Sequence, residues 1–252
     1  ATSKGENRIS NQSGYTYKSL DITNQLEVEA IFDEFIPDTV INTAAMTNVD
    51  ACELAKADCI EGNVLLPLML AQLCCEKKYE FTQISSGCIY GGYEKHFTEK
   101  DAPNFDFQNG SFYSGTKALA EKVVLQNNPN SYVFRLRIPF DEYESPRNYL
   151  TKLLSYDTLL DAENSLSHRA DFAKYVMELI EQKVPHGIYN VTNKGSVATR
   201  DVVQLIKKYN LFKKEIEDKN IKIEDYILEK ILDNKKYCLE PNTFPYNIPK
   251  TM

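Results

Sequence analysis

The alternation of short apolar runs with helix-period segments over the first half of the chain limits its fold more than any other feature. Asn24, followed three residues later by Glu27, can start a helix whose apolar side is Leu26, Val28, Ile31, Phe32 and Phe35 and which Pro37 ends. The run Thr39 to Ala45 then reads as a buried strand. A mostly apolar helix covers about Asp58 to Lys77, and Phe81 to Ser86 is the next strand. A third helix is expected from about Tyr113 to Gln126, with Tyr132 to Leu136 as the strand after it. Strand and helix in this rhythm give βαβ units, and so an α/β fold: a parallel sheet with helices on both faces.

The rhythm changes beyond Arg137. Pro139 and the acidic loop Asp141 to Pro146 interrupt it, a helix follows from about Asn148 to Tyr156, and a further helix near 171–182 precedes the short strand Ile188 to Val191. Two domains are expected: residues 1–137 as a nucleotide-binding sheet, and 138–252 mainly as a smaller substrate lobe, with the 171–182 helix packing back on the sheet. A cleft between them is where a substrate would sit. The tail is helical and charged, and Pro241, Pro245 and Pro249 close it in extended form.

Composition excludes several classes of function. The 252 residues suffice for one large or two small domains, and a net charge of −7 makes nucleic acid an unsuitable partner. Val64 to Cys75, the longest apolar stretch, is too short for the roughly 20 residues that span a bilayer, and Ala1 to Ser13 is polar, so neither a membrane span nor a leader is expected. Cys52, Cys59, Cys74, Cys75, Cys88 and Cys238 show no paired C-x-x-C spacing, and His96, His168 and His186 are scattered. No metal set is expected, and a reduced, cytoplasmic compartment fits. Lys207 to Lys236 is rich in lysine, but Glu215, Glu217, Glu224 and Glu229 are interleaved, as on a solvated helical face.

Tyr113 and Lys117 stand four apart at the start of the third helix and share a face. An ammonium beside a phenol favours tyrosinate, which makes the hydroxyl a workable proton donor or acceptor near neutral pH. The spacing alone means little, because Tyr209/Lys213, Tyr226/Lys230 and Tyr246/Lys250 repeat it in the charged tail. Context singles out the first pair. Ser85-Ser86 ends a parallel strand at the sheet edge where ligands bind, and Asn42-Thr43-Ala44-Ala45 ends the strand before it with small side chains that would let a flat cofactor approach.

A strand-end serine, a tyrosine opening the next helix and a lysine one turn on resemble the short-chain dehydrogenase/reductase superfamily, over most of the chain from Ser19 to about Val203. Ser19 to Thr23, Val40 to Asp50 and Arg147-Asn148-Tyr149 are similar to the dTDP-4-dehydrorhamnose reductases of its extended branch. Gly87-Cys88-Ile89-Tyr90, Gly110 to Lys117 and Pro146 to Lys152 resemble the nucleotide-rhamnose 3,5-epimerase/4-reductases, and a cysteine two residues after the serine is also found in GDP-L-fucose synthase. The resemblance implies a Rossmann-like sheet and a role for each matched residue. Ser86, rather than Ser85, would hydrogen-bond the C4 carbonyl of the substrate, Tyr113 would protonate the alkoxide, and Lys117 would tune Tyr113 and hold the nicotinamide ribose. Asp21 and Ile22 would contact adenine, Ala44 and Ala45 would line the cofactor, and Asn63 would stand near the active site; the alternatives are a helix-entry residue for Asp21 and a satisfied polar group for Asn63. Cys88 and Lys152 would trade protons at C3 and C5, and Asn148 would meet substrate.

The superfamily opens with a strand, a glycine-rich turn and a helix, and no G-x-G-x-x-G occurs among the ten glycines. Ala1-Thr2-Ser3-Lys4 reads as the end of the second strand, so the chain is expected to lack one βαβ unit of about 30 residues. No acidic residue follows that strand to hold a 2′-hydroxyl, whereas Ser3, Lys4 and Arg8 suit a 2′-phosphate, favouring NADPH over NADH. The expected function is NADPH-dependent reduction of a nucleotide-linked 4-keto-6-deoxyhexose, together with 3,5-epimerisation. Reduction alone, and a non-catalytic dinucleotide-binding or regulatory subunit, are the alternatives; a homodimer is an assembly open to it.

Overall fold

The computed structural model describes residues 1–7, 9, 13–91, 96–105 and 107–209, and these divide into two compact units. The first holds residues 1–85 and 103–133, the second residues 86–102 and the chain from Phe134 onward. The segment 86–102 thus joins the second unit. Glu99 accepts the Asn190 amide at 2.8 Å and the Tyr90 hydroxyl accepts from Arg135 at 2.6 Å, contacts that its sequence position gave no sign of. The tail from 210 onward, with its lysine-rich face, its three prolines and Cys238, lies outside the described residues, as does Arg8.

In the first unit, strands β1 (Thr2–Ser3) and β2 (Lys18–Ser19) pair in parallel. Helix α1 (Gln25–Phe35) follows. Asn24 stands at its N-cap without capping it through the side chain; the Glu27 carboxylate instead takes the Asn24 side-chain amide at 3.0 Å and the Asp21 backbone amide at 3.2 Å. Only Val28 and Phe32 of the expected apolar side are buried, while Leu26 is 76% exposed. Ile36, left-handed at φ 45°, ends the helix where Pro37 disfavours continuation.

Strand β3 (Thr39–Asn42) is shorter than expected and not fully buried: Ile41 is 37% exposed, because β3 stands at the end of the sheet order. It pairs in parallel with β4 (Glu80–Ser86), from Thr39 opposite Glu80 to Asn42 opposite Gln83. Helix α2 (Val49–Leu54), which the sequence pattern did not signal, is capped by the Asn48 side chain, which accepts from the Ala51 amide at 2.9 Å. Helix α3 (Lys56–Ile60) runs through a π-helical turn (Glu61–Leu65) into α4 (Leu66–Lys77). The Leu66 amide donates five residues back to the Glu61 carbonyl. Pro67 explains the wide turn, since it has no amide to offer the Asn63 carbonyl four residues earlier, as an α-helix would require. By length and composition alone the stretch Lys56–Lys77 could cross a bilayer, but half of it is buried within the protein. It packs on α5 (Phe112–Asn127), whose N-cap Ser111 accepts from the Ser114 amide at 3.1 Å. Gly115 on α5 lets the Phe107 ring lie close against the helix, since a Cβ there would come within 2.5 Å of that ring and force it to move.

Strand β5 (Ser131–Leu136) completes the order β3-β4-β5-β9, with β9 (Gly187–Asn190) beside the end of β5 that belongs to the second unit. There β6 (Pro139–Phe140) pairs in parallel with β8 (Ser167–His168), and β7 (Glu163–Asn164) pairs antiparallel with β10 (Val197–Ala198). Helices α6 (Tyr149–Ser155), α7 (Arg169–Glu181) and α8 (Thr199–Tyr209) accompany them. Phe140, Leu150, Leu153, Leu166, Val202 and Ile206 form a core of the second unit.

Candidate active site

The site residues of the first unit gather on β4, α5 and the loop after β3. Lys117 is only 3% exposed and its Nζ donates to the Ile84 carbonyl at 2.9 Å; Tyr113, 8% exposed, lies one turn earlier on the same face. A lysine so buried is not a solvated surface cation, since burying an ammonium is costly unless its protons are taken up. One turn beyond Lys117, buried Glu121 accepts the Ser85 hydroxyl at 2.5 Å. That bond occupies Ser85. Glu121 was missed in the sequence, although its position, four beyond Lys117 and eight beyond Tyr113, places it on the same helical face.

Asn42 shapes the end of β3, donating to the Gln83 side chain at 2.9 Å and accepting the Ala44 amide at 3.0 Å. Asn63, 1% exposed in the π-helical turn, accepts the Met46 amide at 2.7 Å and donates to the Met46 carbonyl at 3.0 Å and the Thr116 hydroxyl at 3.1 Å. It pins the loop carrying half-buried Ala44 and Ala45, while its own amide is fully engaged. Lys4 pairs with Asp21 at 2.6 Å, and that hydrogen bond, helped by those from Thr23, holds the Asp21 carboxyl down at about 2. Ser3 shares a hydrogen bond with the Tyr17 hydroxyl at 2.8 Å, and Ile22 is half-buried. Burial pushes the Cys52 and Cys74 thiols up to about 12, consistent with inert core positions.

In the second unit, Ser86 caps the short turn Gly87–Ile89: its Oγ accepts the Cys88 amide at 3.1 Å. Cys88 is half-buried, and its sulfur accepts from Arg137 Nη1 at 3.0 Å. Lys152 is exposed on α6, and no described hydrogen bond or ion pair joins it to Cys88. Asn148, expected to meet substrate, holds a helix end together in the structure. It is 0% exposed, its Oδ1 takes the Leu150 amide, and its Nδ2 donates to Asp141 and Tyr143, so it caps α6 from inside. His168, for which no partner was visible in the sequence, has its Nδ1 2.6 Å from the Asp171 carboxylate. A cavity of about 360 Å³ opens beside Gly87, Tyr90, Arg135, Arg137, Asn164 and Thr192.

A family model described as the RmlD substrate binding domain matches residues 3–225. The chain belongs to that family. Among relatives of this RmlD-family chain, the bifunctional dTDP-4-dehydrorhamnose 3,5-epimerase/dTDP-4-dehydrorhamnose reductase of Arabidopsis thaliana is 34% identical over 206 residues, covering 77% of this chain and 67% of the relative. A trifunctional UDP-glucose 4,6-dehydratase/UDP-4-keto-6-deoxy-D-glucose 3,5-epimerase/UDP-4-keto-L-rhamnose-reductase of the same plant is 33% identical over 184 residues, 69% of this chain but 27% of that protein. The crystal structure of a UDP-rhamnose synthase from Acanthamoeba polyphaga mimivirus superposes with a TM-score of 0.70 at 27% identity, over 78% of this chain and 73% of that one. The resemblance read from Ser86, Tyr113 and Lys117 is thereby borne out, as is the α/β fold with its parallel sheet.

The residues present fit a nicotinamide dinucleotide. Ala44 and Ala45 leave backbone within reach of a flat ligand, two asparagines fix that loop, and Lys117 brings a buried cation to the end of β4.

Proposed function

We propose that this RmlD-family chain reduces the 4-keto group of a nucleotide-linked 4-keto-6-deoxyhexose and exchanges the protons at C3 and C5 of the same sugar. The observation that carries the reading is Lys117, buried against the Ile84 carbonyl with Tyr113 one turn away, on the strand that ends in Ser86. The activities named for the Arabidopsis relatives support it.

Ser86 donates its hydroxyl proton to the C4 carbonyl oxygen. The Cys88 amide takes one of its lone pairs, and the hydroxyl proton is left for the substrate. Tyr113 delivers a proton to the oxygen as the alkoxide forms, and Lys117 holds the phenol in place through its ammonium charge. A reduced nicotinamide dinucleotide supplies the hydride when bound. Cys88 and Lys152 carry the exchange at C3 and C5, where Ser86 and Tyr113 stabilise the enolate by the same contacts they make to the alkoxide. Asp21 and Ile22 face the adenosine, Ala44 and Ala45 line the dinucleotide, and Asn63 acts on it through the Met46 loop. Ser3, Lys4 and Arg8 favour a 2′-phosphate, so NADPH is the preferred donor.

The test is the protein with a 4-keto-6-deoxy sugar nucleotide and NADPH in deuterated water. Oxidation of NADPH and deuterium at C3 and C5 are expected; absence of both would sink the reading. Cys88→Ala should lose deuterium uptake far more than reduction of an already epimerised sugar, and equal loss of both rejects a separate role for Cys88. Reduction alone is the second reading, favoured by the exposed, unpaired position of Lys152; under it, NADPH is consumed only with the epimerised sugar.

A further inference from the structure

The cysteine assigned to proton exchange sits under a guanidinium that the sequence gave no reason to notice. Arg137 follows β5, and its backbone amide is fixed by the Ser167 hydroxyl at 2.9 Å. Its side chain runs across Gly87, where an added Cβ would come within 3.3 Å of Arg137 Cδ. The absence of a side chain at Gly87 lets the arginine pass. At the far end Nη1 donates to Cys88 Sγ at 3.0 Å and Nη2 to Asn164 Oδ1 at 2.5 Å. One planar fork therefore serves two acceptors in a fixed direction, which a lysine ammonium on its flexible stem would not do. Gly87, Arg137 and Asn164 all border the 360 Å³ cavity, with Tyr90, His96, Arg135 and Glu163 as the other titratable groups on its wall.

We propose that Arg137 is a positioning residue for Cys88, holding the sulfur in a fixed direction beside the fork that Asn164 anchors and lying opposite the negative charge of the thiolate during exchange. This rests on the reading of Cys88 as an exchange group. In the step itself the thiolate takes a proton from the carbon next to the C4 carbonyl: the C–H bond breaks, an S–H bond forms, and the electron pair passes to the enolate oxygen. Return of the proton reverses each change, and nothing is oxidised or reduced. As the sulfur gains and loses its proton, the charge opposite the guanidinium alternates, and charge-assisted hydrogen bonds to the anion are the stronger kind.

Two measurements on the full chain test this. Alkylation of Cys88 by iodoacetamide, followed by peptide mass spectrometry with exposed Cys75 as the internal control, reads the sulfur directly. Deuterium uptake at C3 and C5 reads the exchange. Arg137→Met should slow both by about tenfold or more, Arg137→Lys should restore part of each, and Cys75 should label at its usual rate in both variants. Asn164→Ala, which frees only Nη2, should produce a smaller loss of the same kind and serves if Arg137→Met does not fold. Unchanged Cys88 alkylation in Arg137→Met overturns the role of Arg137 and leaves the exchange reading intact. Undiminished deuterium uptake in Cys88→Ala overturns the exchange reading itself, and the function of Arg137 with it.

Discussion

Lys4 and Asp21 illustrate how one surface pair can bear on cofactor choice. The Asp21 carboxyl is held at about 2, first by its hydrogen bond from Lys4 and then by those from Thr23. Its folded value is depressed, so the pair's contribution to folding is complete above the ordinary 3.8 and is lost as pH falls through about 2. Lys4 is exposed and Asp21 partly so, where solvent screens a pair's contribution to stability, so the titration itself is the informative measurement. In Lys4→Ala the Asp21 midpoint should rise from about 2 toward 3.8, followed by carboxyl NMR shifts; an unmoved midpoint would mean that the pair does not form in solution. Lys4 can meet a 2′-phosphate only by sharing itself with Asp21. A dinucleotide that draws Lys4 away should therefore leave its mark on the Asp21 carboxyl.

At the scale of elements, the π-helical turn is where local sequence and site meet. Asn63→Ala would strip the Met46 amide and carbonyl of their partners and should cost about 1–3 kcal/mol in chemical denaturation, with a larger proportional loss in dinucleotide affinity than in turnover. Affinity unchanged in that variant would show that the loop holds its shape without Asn63. The long helices, α5 among them, and β4 were legible because their apolar spacing persists over many residues. Two-residue strands such as β6 and β8 carry too few residues to show a period. Leu26 and Ile41 were read as buried because periodicity marks an apolar face without saying whether a neighbour covers it. Tyr113 and Lys117, both on α5, were visible for the same reason the helix was. Arg137 was not, because its target Cys88 lies 49 residues away in the chain and only the folded second unit brings the two to 3.0 Å.

For the molecule as a whole, the strongest constraint is the kind of ligand it accepts. The chain covers 67% of the bifunctional plant relative and 27% of the trifunctional one, so binding by this chain itself is the decisive measurement. A ligand that binds the folded state alone and is present at 100 times its Kd stabilises that state by about 2.7 kcal/mol, which for a chain of this size raises Tm by roughly 5–10 °C. NADPH should produce a shift of that order in a thermal melt, and NADH a smaller one at the same concentration. No shift with either would remove nicotinamide dinucleotide binding from this chain. Equal shifts would remove the preference for the 2′-phosphate while leaving the reductase fold in place.

The wide turn at Glu61–Leu65 also bears on how length is tolerated along this stretch. A π-helical turn holds one residue more than the α-helical turn it replaces, so the extra residue is absorbed locally while α3 and α4 both keep a face against α5. Cys59, before the turn, has its sulfur 3.7 Å from the Thr116 hydroxyl of that helix. Gly62 within the turn has open space where a Cβ would stand. A side chain can be added there freely, whereas at Asn63, next in the chain, the side chain is what joins the turn to the Met46 loop.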